Sequence, residues 1–330
     1  MSTVSESQSA LEVSGLTTVF DLKIGCVRSV SDVSFRLRKG EILGVVGESG
    51  SGKSVTGLSI MGLIEPPGRI VAGGIRLNGV DLTSLGAEQM RAARGTKVSM
   101  IFQDPMTALN PVLTIGRQFL DVLRAHRSIG RVEARRIAEE ALRQVGIPSP
   151  RERLDAYPHQ LSGGMRQRVC IAIALVCDPE VVIADEPTTA LDVTIQAQIL
   201  NLMQRLARDR QMAMIWVTHD LSVVAGLCDS VAVMYGGRIV EAGPTEVVLA
   251  TPRHPYTMGL IDSIPADARP GTPLRQIPGS PPSPLHLPDG CAFAPRCSRA
   301  TARCQTLPPL DDLAPAHAVR CWFPVEGRAR

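Results

Sequence analysis

"ILGVVGESGSGKSVTGLSIMGLI", residues 42–64, passes from one kind of structure to another without a break. The run "ILGVV" (42–46) is apolar and short, which predicts a strand buried in a sheet. "GESGSGKS" (47–54) fits G-x-x-x-x-G-K-[ST], and the residues after it have the composition of a buried helix. A strand that turns through glycines into a helix leaves backbone N–H groups pointing outward at the helix start, where the peptide dipoles favour negative charge. Gly47, Gly50 and Gly52 let the loop wrap phosphates, Lys53 can reach the β and γ oxygens, and Ser54 can ligate Mg²⁺. Glu48, Ser49 and Ser51 complete a candidate nucleotide cradle. A glycine turn without function is the alternative, and it gives no reason for a strand before the loop and a helix after it.

On the N-terminal side, residues 11–46 read as strands. "VSFRLRKGEILGVV" alternates Val33, Phe35 and Leu37, turns at Lys39-Gly40 and enters the buried strand. On the C-terminal side, "GGIRLNGVDL" (73–82) carries the Asn78-Gly79 hairpin signal, and "KVSMIF" (97–102) is a further short strand. Residues 112–147 change character, with helical spacing of Ala, Ile and Leu in "VEARRIAEEALRQVGI". Between 180 and 240 the strand–helix alternation returns through "EVVIADEP", a long helix near 193–208, "MAMIWVTH" and "SVAVMYGGRIV". The alternation predicts an α/β fold, a mostly parallel sheet covered by helices and interrupted by a helical insert.

Several residues stand where that sheet would deliver them beside the cradle. "VVIADEP" (181–187) is an apolar strand ending in two acids, which puts both at the C-terminal edge of the sheet. Asp185 suits Mg²⁺, and Glu186 suits a general base that orients an attacking water. His219, in "IWVTHD", lies just past another buried strand and would touch the γ-phosphate or hold Glu186 and the water in line. Gln103 follows "VSMIF", stands where the insert begins and would reach Mg²⁺ or water. Taken singly, each of these is equally a helix cap or a solvated polar residue at a strand end. Together with a cradle they make the minimum for Mg·NTP hydrolysis.

"QLSGGMRQR" (160–168) raises a different matter. Ser162, Gly163 and Gly164 open a helix-like run and are equipped to hold an anion, yet the chain already has a complete cradle more than a hundred residues earlier.

Composition bounds the rest. The chain has 330 residues, 44% hydrophobic and 20% charged, and a net charge of +3. That is the mix of an ordinary globular protein with room for one large domain and an appendage. Only four of the basic residues are lysines (Lys23, Lys39, Lys53 and Lys97), and no dense basic block tracks a nucleic-acid backbone, so no nucleic-acid partner is expected. The longest apolar run, "VCIAIALVC" (169–177), is about half of what a spanning helix needs, and the polar start does not resemble a secretory signal. A cytoplasmic protein that reaches a membrane by docking to a partner is expected. Cys26, Cys170, Cys177 and Cys228 are scattered, whereas Cys291, Cys297, Cys304 and Cys321 crowd the last 40 residues. In a reducing compartment disulfides are not expected, and four thiols in so small and proline-rich a segment suggest a metal-centred staple. The spacing C-x₅-C-x₆-C-x₁₆-C lacks the paired C-x₂-C of common zinc folds and suits the irregular loops that hold a [4Fe–4S] cluster. Zn²⁺ and unligated packing cysteines are the alternatives.

The cradle, Gln103, "LSGGM" (161–165), "ADEP" (184–187), "ALD" (190–192) and His219 stand in the order and spacing of an ATP-binding cassette (ABC) ATPase. The chain resembles that family from residue 11 to about 260. The resemblance implies a P-loop NTPase cassette over residues 1–260: a mostly parallel core, an N-terminal antiparallel β subdomain and a helical subdomain at about 104–165. It also implies that two cassettes pack head to tail, so that Ser162, Gly163 and Gly164 of one contact the γ-phosphate held by the other. Ala190, Leu191 and Asp192 then fall at the dimer seam, and Gln103 at the joint between core and insert. Such cassettes stack an aromatic on adenine, for which Phe20 is the candidate, with a core role as its alternative.

Beyond the cassette, "HPYTMGLIDSIP" (254–265), "IPGSPPSP" (277–284) and "GCAFAPRCSRATARC" (290–304) resemble the C-terminal extension of ABC subunits from oligopeptide and dipeptide importers and their nickel- and glutathione-handling relatives. "FQDPMTALNP" (102–111) resembles that subgroup as well. The expected organisation is therefore a proline-rich linker at 261–290, with eight prolines between 265 and 288, and a small irregular cysteine-rich extension at 291–330. The resemblance favours [4Fe–4S] over Zn²⁺. It implies two transmembrane permease subunits, a second similar ABC ATPase subunit in a heterodimer, and a periplasmic or extracellular solute-binding protein as partners. The expected place is the cytoplasmic face of a bacterial inner membrane. A soluble ABC-type ATPase of DNA repair or translation is the alternative, but the second cassette, long inserts and basic arms of such proteins are missing from the sequence.

Overall fold

The computed structural model describes residues 9–189, 191–264, 276–314 and 316–326. In chain order, β1 (Ser9–Leu22), β2 (Gly25–Arg38) and β3 (Ile42–Val46) lead through the glycine loop into α1 (Lys53–Ile60). β4 (Gly68–Leu77), β5 (Val80–Asp81), α2 (Ala87–Ala93) and β6 (Val98–Ile101) follow. A helical run then holds α3 (Pro105–Ala108), α4 (Ile115–His126), α5 (Arg131–Gln144), α6 (Pro150–Arg153) and α7 (Gly163–Leu175). The alternation resumes with β7 (Val181–Asp185), α8 (Val193–Arg210), β8 (Ala213–Thr218), α9 (Leu221–Leu227) and β9 (Ser230–Tyr235). The remaining elements are β10 (Arg238–Pro244), α10 (Thr245–Ala250), α11 (Pro255–Asp262), β11 (Asp311–Ala314) and β12 (His317–Val319).

The chain divides into two compact units. The first comprises Met1–Leu11, Leu37–Gly40 and Arg76–Ile215, and therefore the whole helical run. In it β6 and β7 pair in parallel from Val98↔Val181 to Ile101↔Ala184. All five residues of β7 are buried, as a strand covered on both faces requires. Residues Asn78 and Gly79, both at positive φ, close the two-residue turn that pairs Arg76 with Asp81 and Leu77 with Val80. α4 buries Ile115, Phe119, Leu120 and Leu123, and α5 buries Ala134, Ala138 and Leu142, so each turns one stripe inward. The last of these helices, α7, begins in the signature run and extends for 13 residues to Leu175.

The second unit comprises Glu12–Arg36, Glu41–Ile75 and Trp216–Arg330. β1 lies between β2 and β4 in one sheet. In the other, β3 pairs in parallel with β9, from Leu43↔Ser230 to Val46↔Val233, and β9 turns through Gly236-Gly237 into antiparallel β10. The cysteine-rich extension departs from the irregular segment expected. β12 pairs antiparallel with β10 at Glu241↔Val319 and Ala242↔Ala318, and β11 folds back on β12. Residues 276–290 form no helix or strand. Ile277 packs so closely on Gly259 of α11 that an added Cβ there would lie 2.8 Å from it.

Candidate functional site

The cradle lies in the second unit, and its glycines are there for want of room. A Cβ on Gly47 would lie 2.2 Å from the carbonyl oxygen of Met234, and one on Gly52 would lie 2.4 Å from that of Ser29. Gly52 is also left-handed, at φ 101°, which a side chain would resist. Lys53, a residue only 5% exposed, donates from its ammonium to the carbonyl oxygens of Gly47 (2.8 Å) and Glu48 (3.0 Å). Ser54 follows in the first turn of α1, half-buried.

Glu48 is held from three directions. Its N–H donates to the Tyr256 hydroxyl (2.9 Å), its carbonyl oxygen accepts from the Ser51 N–H (3.2 Å) as well as from Lys53, and its carboxylate takes two bonds from Arg296 (2.7 and 3.1 Å). The Glu48 carboxylate, followed by the Tyr235 hydroxyl, raises the Arg296 pKa, and burial raises those of Tyr235 and Tyr256. A cavity of about 210 Å³ beside the loop is lined by Arg28, Ser29, Glu48, Ser49 and Tyr235, with Pro281 across it. Phe20 is elsewhere: its ring lies against the start of β4, where a Cβ on Gly68 would come within 2.6 Å of it. Arg28 and Ser29, which line this cavity, both belong to β2.

The acids and the signature lie in the first unit. Asp185, 7% exposed, ends β7. Glu186 follows at φ 44°, a left-handed conformation unusual for a residue with a side chain. Its Oε2 accepts from Gln103 Nε2 (3.3 Å) and from the Thr189 hydroxyl (3.0 Å). Ser162 caps α7 by accepting from the Met165 N–H (3.3 Å), and both Ser162 and Gly163 are exposed. A Cβ on Gly163 would meet nothing within 4 Å, whereas one on Gly164 would lie 2.8 Å from Ile195. Asp192 caps α8 by accepting from the N–H of that same Ile195 (3.0 Å). Ala190 lies outside the described residues. A concave surface of about 330 Å³ among the helices is lined by Thr114, Arg117, Leu120, Arg131, Arg135 and Leu154. His219, in the second unit, is exposed just past β8, beside Asp220, which caps α9.

Of the residues singled out in the sequence, the structure brings Gln103 to Glu186, and Gly164 to Ile195, whose N–H Asp192 accepts. The sequence reading missed Thr189, Arg28, Tyr256 and Arg296. Tyr256, inside "HPYTMGL", and Arg296, inside "GCAFAPRCSRATARC", fell within stretches singled out beforehand, but neither was singled out as a residue.

The four clustered cysteines line one recess with His254, Phe293 and Trp322. Burial pushes the thiols of Cys291, Cys297 and Cys321 up, the last to about 11. Backbone N–H groups at Phe293, Arg299 and Phe323 face these three sulfurs in turn and oppose that shift. Among the described residues, however, no group of three or more His, Cys, Asp or Glu is arranged to hold a metal ion, so neither the zinc nor the iron expectation gains a ready-made ligand set. Cys170 and Cys228 are buried, with pKa values pushed up to about 12, as packing thiols.

Comparison with known proteins bears on the whole chain. The ABC transporter family profile matches residues 30–189, and that of the oligopeptide/dipeptide transporter C-terminal region matches residues 240–304. A protein of Brucella melitensis biotype 1, named for peptide import and ATP binding, is 53% identical over 327 residues, spanning 95% of this chain and 97% of its own length. The chain belongs to the ATP-binding subunits of the oligopeptide/dipeptide ABC transporter family. The dipeptide transport ATP-binding protein DppD of Escherichia coli is 45% identical over 321 residues, covering 97% of this ABC subunit and 98% of DppD. Among solved structures, the dimeric bacterial ABC transporter cassette MJ0796 aligns with a TM-score of 0.63 and 26% identity, over 71% of this chain and 98% of that one. The subunit is an ATPase with the P-loop cassette fold, and the reading as a DNA-repair or translation ATPase is not favoured.

Proposed function

We propose that this ABC ATPase is the motor of a peptide-class importer, and that Glu186 is the base whose action is passed to the helical run through Gln103. The hydrogen bond between Gln103 and Glu186 carries the reading. It joins the acid just past β7 to a residue two positions before α3. Glu186 accepts the proton of the attacking water, while Gln103 and Thr189 hold its carboxylate. Lys53 and the loop N–H groups of residues 47–54 hold the phosphates, and His219 attends the γ-phosphate. Ser54, Gln103 and Asp185 would hold Mg²⁺, which would supply positive charge to the phosphates. Ser162, Gly163 and Gly164 reach the ATP of a partner cassette, a reading supported by their exposure and by the open space above Gly163.

Membership of the family supports permeases and a solute-binding protein as partners, and the proposal adds a second ATPase subunit. In the assembly proposed, the permeases number two, the second ATPase subunit is similar to this one, and the chain is held at the cytoplasmic face of the inner membrane. No helix among the described residues is long and apolar enough to cross a membrane. The concave surface around Leu120 and Arg135 is the proposed seat for a permease helix. Gentle solubilisation of membranes and mass spectrometry of what co-purifies with the tagged chain tests this. Two multi-span permeases and a second cassette are expected. Recovery from the soluble fraction alone, without a permease, would refute the transport role and leave the ATPase intact.

For the cysteine recess we propose a structural [4Fe–4S] cluster on Cys291, Cys297, Cys304 and Cys321. The support is that all four line one recess, at a spacing that suits the irregular loops of such a cluster. Iron and acid-labile sulfide in equal, stoichiometric amounts are expected after anaerobic purification; stoichiometric zinc without iron would overturn the assignment.

A further inference from the structure

The C-terminal extension reaches the phosphate cradle through one side chain. Arg296 stands in the 3-10 turn Ala294–Arg296, between Cys291 and Cys297. Its guanidinium makes a two-pronged ion pair with Glu48, Nη1 to Oε2 at 2.7 Å and Nη2 to Oε1 at 3.1 Å. The Arg296 side chain is 5% exposed and the Glu48 side chain 27%. Nη1 also donates to the Tyr235 hydroxyl (3.2 Å) and Nε to the carbonyl oxygen of Pro278 (2.9 Å). Phe293 packs against Tyr235, Tyr256 and His254, so the turn that carries Arg296 is seated on an aromatic cluster. Planar, bidentate and half-dry pairs of this kind are the stronger class of charge-assisted bond, and lysine reproduces only part of their geometry.

What Glu48 does in the loop gives the pair its meaning. The Glu48 carbonyl oxygen accepts from Lys53 Nζ and from the Ser51 N–H, and its own N–H is committed to Tyr256. Any displacement of Glu48 therefore moves the resting place of the lysine that must meet the phosphates, and changes the aim of the N–H groups that follow. Position matters steeply for such donors, because a preorganised electrostatic site loses its advantage when its groups must reorganise on binding.

We infer that Arg296 is a positioning residue for the nucleotide cradle: the C-terminal extension fixes Glu48 and, through it, Lys53, so that ATP affinity depends on a side chain nearly 250 residues away in sequence. This deepens the reading of residues 47–54 as the ATP cradle and rests on it. ATP dissociation constants, KM and kcat measured on the full chain test the inference. Arg296→Gln is expected to weaken ATP binding and raise KM roughly three- to tenfold, as loss of a charge-assisted pair does, with kcat nearly unchanged. Arg296→Lys should recover part of the loss. Glu48→Ala breaks the same pair from the other side, and the double variant should be no worse than the poorer single one. Should Arg296→Gln fail to fold, Glu48→Ala gives the readout with the extension untouched. Lys53→Ala serves as the control. If it still binds ATP, the cradle reading itself fails; if it does not, and both Arg296→Gln and Glu48→Ala bind ATP as the unaltered chain does, the inference alone is overturned. A loss confined to kcat, or additive losses in the double variant, would also overturn it.

Discussion

Glu186 follows its strand in a left-handed conformation, with Gln103 and Thr189 both bonded to the same carboxylate oxygen. A strained backbone held by neighbours aims a side chain without relying on its rotamer, which is what a proton acceptor in front of a water needs. Glu186→Gln is therefore expected to lower turnover by at least about a hundredfold while leaving ATP binding within about twofold, read from steady-state kinetics and nucleotide titration. Normal hydrolysis by this variant would remove Glu186 from the role of base. At this scale the local geometry is legible wherever a motif states it: the glycine loop opens α1, Asp185 ends β7 and Ser162 caps α7. The sequence is silent where the contact is long-range. Nothing in "PRCSR" announces that Arg296 pairs with Glu48, and nothing around Phe20 announces that its ring packs on Gly68.

Among the elements, α7 shows how two adjacent glycines differ. Gly163 has open space above it and Gly164 has Ile195, so the two carry different constraints although they read alike. Gly163→Trp is expected to leave ATP binding by the isolated chain unchanged and to cut ATPase activity of the assembled transporter at least about tenfold, because the obstruction lies only in a partner's path. Gly164→Ala, in contrast, should lower the melting temperature of the isolated chain, since Ile195 must give way first. Loss of monomer ATP binding in the Gly163 variant would refute the in-trans reading. The long, strongly periodic α5 and α8, and the buried β7, were plain in the sequence because each extends a single pattern over its length. β12 was not. Its three residues have too little length for a period to show, and only pairing with β10 makes them a strand.

In the molecule as a whole, a charged network joins the extension to the end of the cassette. Glu241, fully buried, accepts from the N–H groups of Arg253 (2.7 Å) and His254 (2.9 Å) and is bonded to His317 Nε2 (2.8 Å). His254 caps α11 by accepting the Tyr256 N–H on Nδ1 (3.0 Å), so its ring is neutral at that nitrogen. Burial pushes its pKa down from 6.5 to about 4, against a smaller upward pull from Glu241. A depressed histidine pKa favours the unfolded chain in acid, because the unfolded state takes up the proton first. The stability is fully present above pH 6.5 and is lost as pH falls from 6.5 towards 4, by on the order of 3 kcal/mol at most. Urea melts across that range should show a steeper fall for the native chain than for His254→Asn, which keeps a cap acceptor without the titration. Equal slopes would rule His254 out as the cause.

The extension's strands bear on what can be cut from the protein. β10 has β9 on one side and, among the described residues, the backbone of residues 317–320 on the other. A chain shortened before residue 291 would bare the N–H and C=O groups of β10 that face β12, the kind of open rim on which proteins stick to one another. Such a fragment would keep every nucleotide motif in its sequence and still precipitate when concentrated. The minimal working cassette of this protein is longer than its motifs.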